Sequence, residues 1–204
     1  MNRPINPALY RRPRSVPVLV LVDMQQEYEI AGRPLALSGI EPALQNCRRA
    51  LAHARASGIQ VAYVRWVGAP LFQAGSRYAR WIEGFEPHGC DMIFDRDRPS
   101  CYASPAFADA MERGSPPLVM AGFAAESSCL ATAVDGFHRG QDVTFLSDAS
   151  ASHDLEDIGA EEIHRSVSAV MRVFGDVTDT QSWIATSSPF KPMPAAPRSR
   201  HDND

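Results

Sequence analysis

Apolar positions along the chain fall into short runs of strand length, separated by stretches in which they recur at helical spacing. Val16 to Val22 is a near-continuous β-branched and leucine run that ends at Asp23, the pattern of a strand buried on both faces of a parallel sheet. Ile40, Leu44, Cys47, Leu51 and Ala54 then recur every three or four residues after Ser38-Gly39-Ile40-Glu41, a start resembling a capping box, and Gly58 stops the run. Further strands are predicted at Gln60 to Val67, Met92 to Phe94, Leu118 to Phe123, Val143 to Leu146 and Asp176 to Thr178. Helices are predicted near 103 to 113 and 128 to 139, from Ile163 to Phe174, and in a closing turn to Trp183. This alternation predicts an α/β fold: a doubly wound parallel sheet of about six strands, flanked by helices on both faces in three layers of Rossmann type. Functional groups are then expected at the carboxyl ends of strands.

Two terminal stretches depart from the pattern. Residues 1–14 are rich in Pro and Arg and read as an N-terminal arm, and residues 187–204 read as a disordered tail, leaving one domain over 15–186. A chain of 204 residues suits a single domain of this kind. Between Gly68 and Gly89 runs a long irregular connection carrying Phe72, Tyr78, Trp81 and Phe85, too apolar to leave in water and expected at a pocket rim or a subunit contact.

Charge and cysteine content narrow the partners. A net charge of −4 gives no long-range attraction to nucleic acid or anionic membrane, and the basic stretch of Arg11, Arg12 and Arg14 is too short to change that. No apolar run reaches the roughly 18 residues of a membrane span, and the proline-rich start has no signal-peptide core, so a cytoplasmic protein with a small-molecule partner is expected. Cys47, Cys90, Cys101 and Cys129 form no CxxC pair and read as reduced thiols. His53, His88, His138, His153, His164 and His201 are scattered without metal-ligand spacing, so no metal is expected and the histidines read as surface or hydrogen-bonded core residues. Neither G-x-G-x-x-G nor G-x-x-x-x-G-K-[ST] is present, and no cofactor is expected.

Three positions carry candidate chemistry. Asp23 follows a buried strand, where an acid is either desolvated and poised to hold a proton or simply caps the next turn. Arg96 stands in Asp95-Arg96-Asp97-Arg98, either paired with Asp23 or part of a solvated charge cluster. Ser128 opens a predicted helix, where it is either a nucleophile favoured by the helix N-terminus or an N-cap. Cys129, one position along, is turned about 100° away and is expected to face the core.

The segments Leu19-Val20-Leu21-Val22-Asp23-Met24-Gln25, Asp95-Arg96-Asp97-Arg98-Pro99-Ser100-Cys101-Tyr102 and Gly122 to Asp135 together resemble the isochorismatase-like cysteine hydrolase superfamily, over roughly residues 16 to 185. Its nicotinamidase, N-carbamoylsarcosine amidase and isochorismatase relatives imply a small-molecule hydrolase acting on an amide-type C–N bond, or on a vinyl ether without a covalent nucleophile. The resemblance places Ser128 where the family has its cysteine, counted from Gly122 and from Thr132 alike, and Arg96 where it has its lysine. It further implies a cis peptide between Phe123 and Ala124, oxyanion donors from Ala124 and Ser128, and a homodimer or homotetramer. Tyr28, Trp66, Trp81 and Tyr102 are the candidates for the pocket walls. With two of three family positions changed, a catalytically silent binding or oligomeric scaffold is the alternative.

Overall fold

A computed structural model describes residues 16–187. The expected arm, residues 1–14, and all of the expected tail after Ser187 lie outside the described residues. Six parallel strands form one sheet in the order β3-β2-β1-β4-β5-β6: β1 (Val18–Val22), β2 (Gln60–Trp66), β3 (Met92–Arg96), β4 (Leu118–Gly122), β5 (Val143–Ser150) and β6 (Asp176–Thr178). The helices are α1 (Gln26–Glu29), α2 (Glu41–Ala56), α3 (Pro105–Glu112), α4 (Leu130–His138), α5 (Ala160–Met171) and α6 (Thr180–Thr186). This is the doubly wound architecture that the alternation of strands and helices predicts.

The strand pleat sends alternate residues to two separate cores. Leu19 and Leu21 pack with Leu44, Cys47 and Leu51 of α2 and Trp183 of α6 on one face. Val18, Val20 and Val22 pack with Phe107 and Met111 of α3, Ala133 of α4 and Met171 of α5 on the other. Because the chain winds outward from β1 in both directions, neighbouring strands β1 and β4 send their connections to opposite faces. Their carboxyl ends therefore flank the crevice where doubly wound sheets bind ligands.

Three local features depart from the sequence expectation. α2 begins at Glu41 with Ile40 as its cap and no side-chain cap bond, so Ser38 does not form a capping box; Pro42 in the first turn starts the helix, with its ring fixing a helical φ. β5 runs on to Ser150, past a shift in its pairing with β4 between Met120 and Gly122. Ser150 Oγ donates 2.6 Å to the Gly122 carbonyl there, which holds the irregular end together. The helix expected to start at Ser128 is preceded by a π-helical turn over Ala125–Cys129, closed by the Cys129 N–H on the Ala124 carbonyl at 3.2 Å.

Candidate active site

Asp23 is the residue at which β1 stops. Its φ of +50° lies in the left-handed region, which aspartate tolerates better than most residues but still at a cost of about 1 kcal/mol or more. Its N–H remains bonded to the Val64 carbonyl of β2 at 2.8 Å, so the turn happens at a fixed point above the sheet. Arg96 closes β3 in register with Trp66 of β2, and its side chain crosses the end of β2 with the guanidinium 4.5 Å from the Trp66 ring centroid. Trp66 is itself fixed by Gln25, which accepts from its N–H at 2.9 Å and donates to its carbonyl at 3.0 Å.

Ser128 approaches from β4. Gly122 permits this: it has φ +122°, and a Cβ there would overlap the Val22 carbonyl oxygen and sit 2.7 Å from the Val22 nitrogen. The Phe123 N–H donates to that carbonyl at 3.0 Å, and the Phe123–Ala124 peptide is cis, at the bond the family resemblance implies. Among the described residues the Ala124 N–H donates to no backbone carbonyl. The π turn then carries Ser128 inward, with Thr132 Oγ1 donating 2.7 Å to its carbonyl.

The three candidates meet. Arg96 Nη2 donates both to Asp23 Oδ2 and, at 2.8 Å, to Ser128 Oγ; Ser128 Oγ donates to Asp23 Oδ2 at 3.0 Å. Arg96 Nη1 donates to the Arg98 carbonyl at 2.5 Å. All three are buried, at 0%, 2% and 1% exposure respectively, so Arg96 is no member of a solvated cluster, and Asp23 Oδ2 is taken up by Arg96 and Ser128. Nor is Ser128 an N-cap: no side-chain cap bond is made at the start of the π turn or of α4. Burial pushes the Asp23 carboxyl above its ordinary value, while the Arg96 guanidinium and the Ser128 hydroxyl pull against that rise. Cys129 faces the opposite core, where burial holds its thiol far above the ordinary range.

Over Ser128 opens a cavity of about 460 Å³. Tyr28 and Trp66 line it, and so does Phe72 from the long aromatic loop. The other two expected wall residues lie elsewhere. Trp81 belongs to a second cavity of about 450 Å³, lined also by Arg65 and Arg80, which Trp66 and Phe72 share with the first. Tyr102 lies in the core on the α3 and α4 side of the sheet, its ring 5.1 Å from Phe107, because the turn after β3 carries it below the sheet end.

Two residues of the cavity wall escaped the sequence reading. His153 Nδ1 lies 2.7 Å from Glu126 Oε1, and His153 Nε2 lies 3.1 Å from the Leu35 carbonyl. The Glu126 hydrogen bond raises the imidazole above its ordinary value. Burial alone would raise Glu126, yet the bond from His153 and its neighbours brings the carboxyl below its usual range. Glu126 stands two residues before Ser128 in the same turn, the one signal available beforehand. Among the described residues no cluster of metal-ligating side chains occurs, and no helix is long and apolar enough to cross a membrane.

Comparison with known proteins places this geometry. The isochorismatase domain pattern matches residues 17–182. The secreted isochorismatase effector Isc1 of Verticillium dahliae is 27% identical, over 80% of this chain and 88% of its own. The ureidoacrylate amidohydrolase RutB of Acinetobacter baylyi is 29% identical over 82% of each chain. Among solved structures, an isochorismatase from Pseudomonas putida aligns with a TM-score of 0.77 at 30% identity, covering 84% of this chain and 91% of that one. The N-carbamoylsarcosine amidase of Thermoplasma acidophilum shares the fold at TM-score 0.67 and 19% identity, over 80% of this chain and 96% of its own. With a domain match that spans the sheet from β1 to β6 and every residue of the buried triad, the chain belongs to the isochorismatase family of hydrolases.

Proposed function

We propose that the protein hydrolyses an amide-type C–N bond of a small molecule, with Ser128 as the nucleophile, Asp23 as its base and Arg96 as the fixed cation between them. One observation carries the choice: of the three, only Ser128 lines the cavity. Its hydroxyl, at the cavity wall, donates to Asp23 Oδ2 at 3.0 Å, the bond along which its proton leaves as it attacks, whereas direct protonation of a vinyl ether has no use for a hydroxyl there.

An alcohol is a poor nucleophile until its proton is removed. Two features of the site favour that removal. Burial makes the Asp23 carboxylate a stronger base than in water, and Arg96 Nη2 donates to the same oxygen that loses the proton. Ser128 Oγ attacks the carbonyl carbon while its proton passes to Asp23 Oδ2. The tetrahedral oxyanion is received by the N–H groups of Ala124 and Ser128. Collapse breaks the C–N bond, and the leaving nitrogen takes the proton from Asp23, so that an acyl ester remains on Ser128. Water then attacks the ester, giving its proton to Asp23, and Ser128 departs with that proton as product acid forms.

The ureidoacrylate amidohydrolase among the relatives supports including ureides with amides in a substrate panel. Against such a panel, with vinyl ethers alongside, Ser128→Ala and Asp23→Asn should each lower kcat/KM by on the order of 10³-fold. Turnover that survives Ser128→Ala but not Asp23→Asn would favour direct protonation. A wild type inert to the whole panel would favour the scaffold.

A further inference from the structure

The wall of the cavity over Ser128 carries chemistry that the triad does not use. Glu126 and His153 form its polar edge, and the rest of the lining is apolar or neutral. His153 Nδ1 faces a carboxylate oxygen and Nε2 faces a backbone carbonyl, both of them acceptors, so both bonds form only when the imidazole carries two protons. The imidazolium is thus held by Glu126 and Leu35 with no donor left over. Glu126 Oε1 lies against His153 Nδ1, and the residue lines the cavity. No arginine or lysine lines the cavity. Arg96 lies behind Trp66 with Nη2 on Asp23 and Ser128 and Nη1 on the Arg98 carbonyl.

From this arrangement we infer that the site takes an uncharged amide or ureide with an apolar body, that Glu126 accepts a hydrogen bond from its N–H, and that carboxylate-bearing analogues are rejected. The inference rests on the amide-hydrolase reading for the identity of the reacting group, and on the cavity wall for everything else. A substrate carboxylate entering here loses its water, finds no free donor cation and faces the fixed charge of Glu126. An N–H group instead brings a donor to the Glu126 carboxylate at the cavity wall. Trp66, Leu71, Phe72 and Leu155 offer the body of such a molecule an apolar and aromatic surface.

The discriminating experiment is calorimetric binding to the full chain carrying Ser128→Ala, with ligands paired by length. N-Propylurea is compared with 3-ureidopropionate, hexanamide with adipamate, and hexanamide with N,N-dimethylhexanamide. The neutral member of each charge pair should bind at least about tenfold more tightly than its acid, and dimethylation should weaken binding at least as much. Glu126→Gln should shrink the preference for the neutral member at least about threefold, and His153→Gln, which strips Glu126 of its cation, should widen it. Acids bound as tightly as their neutral partners, no neutral ligand bound at millimolar concentration, or a preference indifferent to both substitutions would overturn the inference. Because binding is read without turnover, a Ser128→Ala variant that hydrolyses at the wild-type rate defeats the covalent reading and leaves the binding ratios to decide this one.

Discussion

One guanidinium nitrogen of Arg96 faces both the Asp23 carboxylate and the Ser128 hydroxyl, so none of the three side chains can change without altering the charge that the others experience. Arg96→Met leaves a buried carboxylate with no cation, which should cost about 3–5 kcal/mol at pH 7. The sign with pH is fixed by Asp23, whose folded carboxyl is already raised by burial. A raised carboxyl makes the folded state hold its proton longer than the unfolded one, so its contribution is most favourable below the ordinary value of 3.8 and is lost as pH rises through the folded value. Without Arg96 that rise is larger. The penalty of Arg96→Met should therefore shrink between pH 7 and pH 5, and the pair Asp23→Asn with Arg96→Met should recover most of it. Urea denaturation at both pH values checks this, and a cost that is equal at both and additive with Asp23→Asn would refute the coupled pair. At this scale Asp23, Arg96 and Ser128 were legible, because two flanks, Gly122 and Thr132, fix the count to Ser128. Glu126 and His153 were not, because 27 residues separate two side chains that only the fold brings together. Tyr102 misled for a related reason: an aromatic residue after a strand end looks the same in sequence whether its turn leads over the sheet or under it.

Among the elements, the connection from β4 into α4 shapes the site most. The strand must pass close enough to β1 for the Phe123 N–H to reach the Val22 carbonyl, and Gly122 is the residue that allows it. Its φ of +122° and the backbone of Val22 together leave no room for a methyl group, and backbone cannot swing aside as a side chain can. Gly122→Ala should accordingly cost more than about 4 kcal/mol, read as loss of soluble protein or of the folding transition. A soluble variant within about 1 kcal/mol of wild type would show that the approach is not needed. Strand and helix identities were legible throughout, since the periodicities of two and 3.6 are strong in β1, β4 and α2. Boundaries were less so. The π turn leaves no trace in hydrophobic spacing, because its five residues are small or polar, and β5 outran its apolar run because that run ends at Leu146 although the strand continues through the polar Ser147 and Asp148.

Across the whole molecule, the doubly wound topology brings an edge strand, a central strand and the start of a helix to one point. β1 supplies the acid, β3 the cation and the turn after β4 the hydroxyl, at the place where the connections of β1 and β4 part to opposite faces. The two cores hold this point rigid from both sides, and the cavity above Ser128 opens it to a small molecule. In the proposed reaction Ser128 forms a covalent bond to the acyl group it then releases to water. The direct measurement is intact and peptide mass spectrometry of the protein quenched in acid during turnover of an activated amide or ester. An added acyl mass is expected on Ser128, absent from Ser128→Ala and from protein without substrate. Turnover with no adduct and an undiminished rate in Ser128→Ala, or an adduct on Cys129, would contradict it.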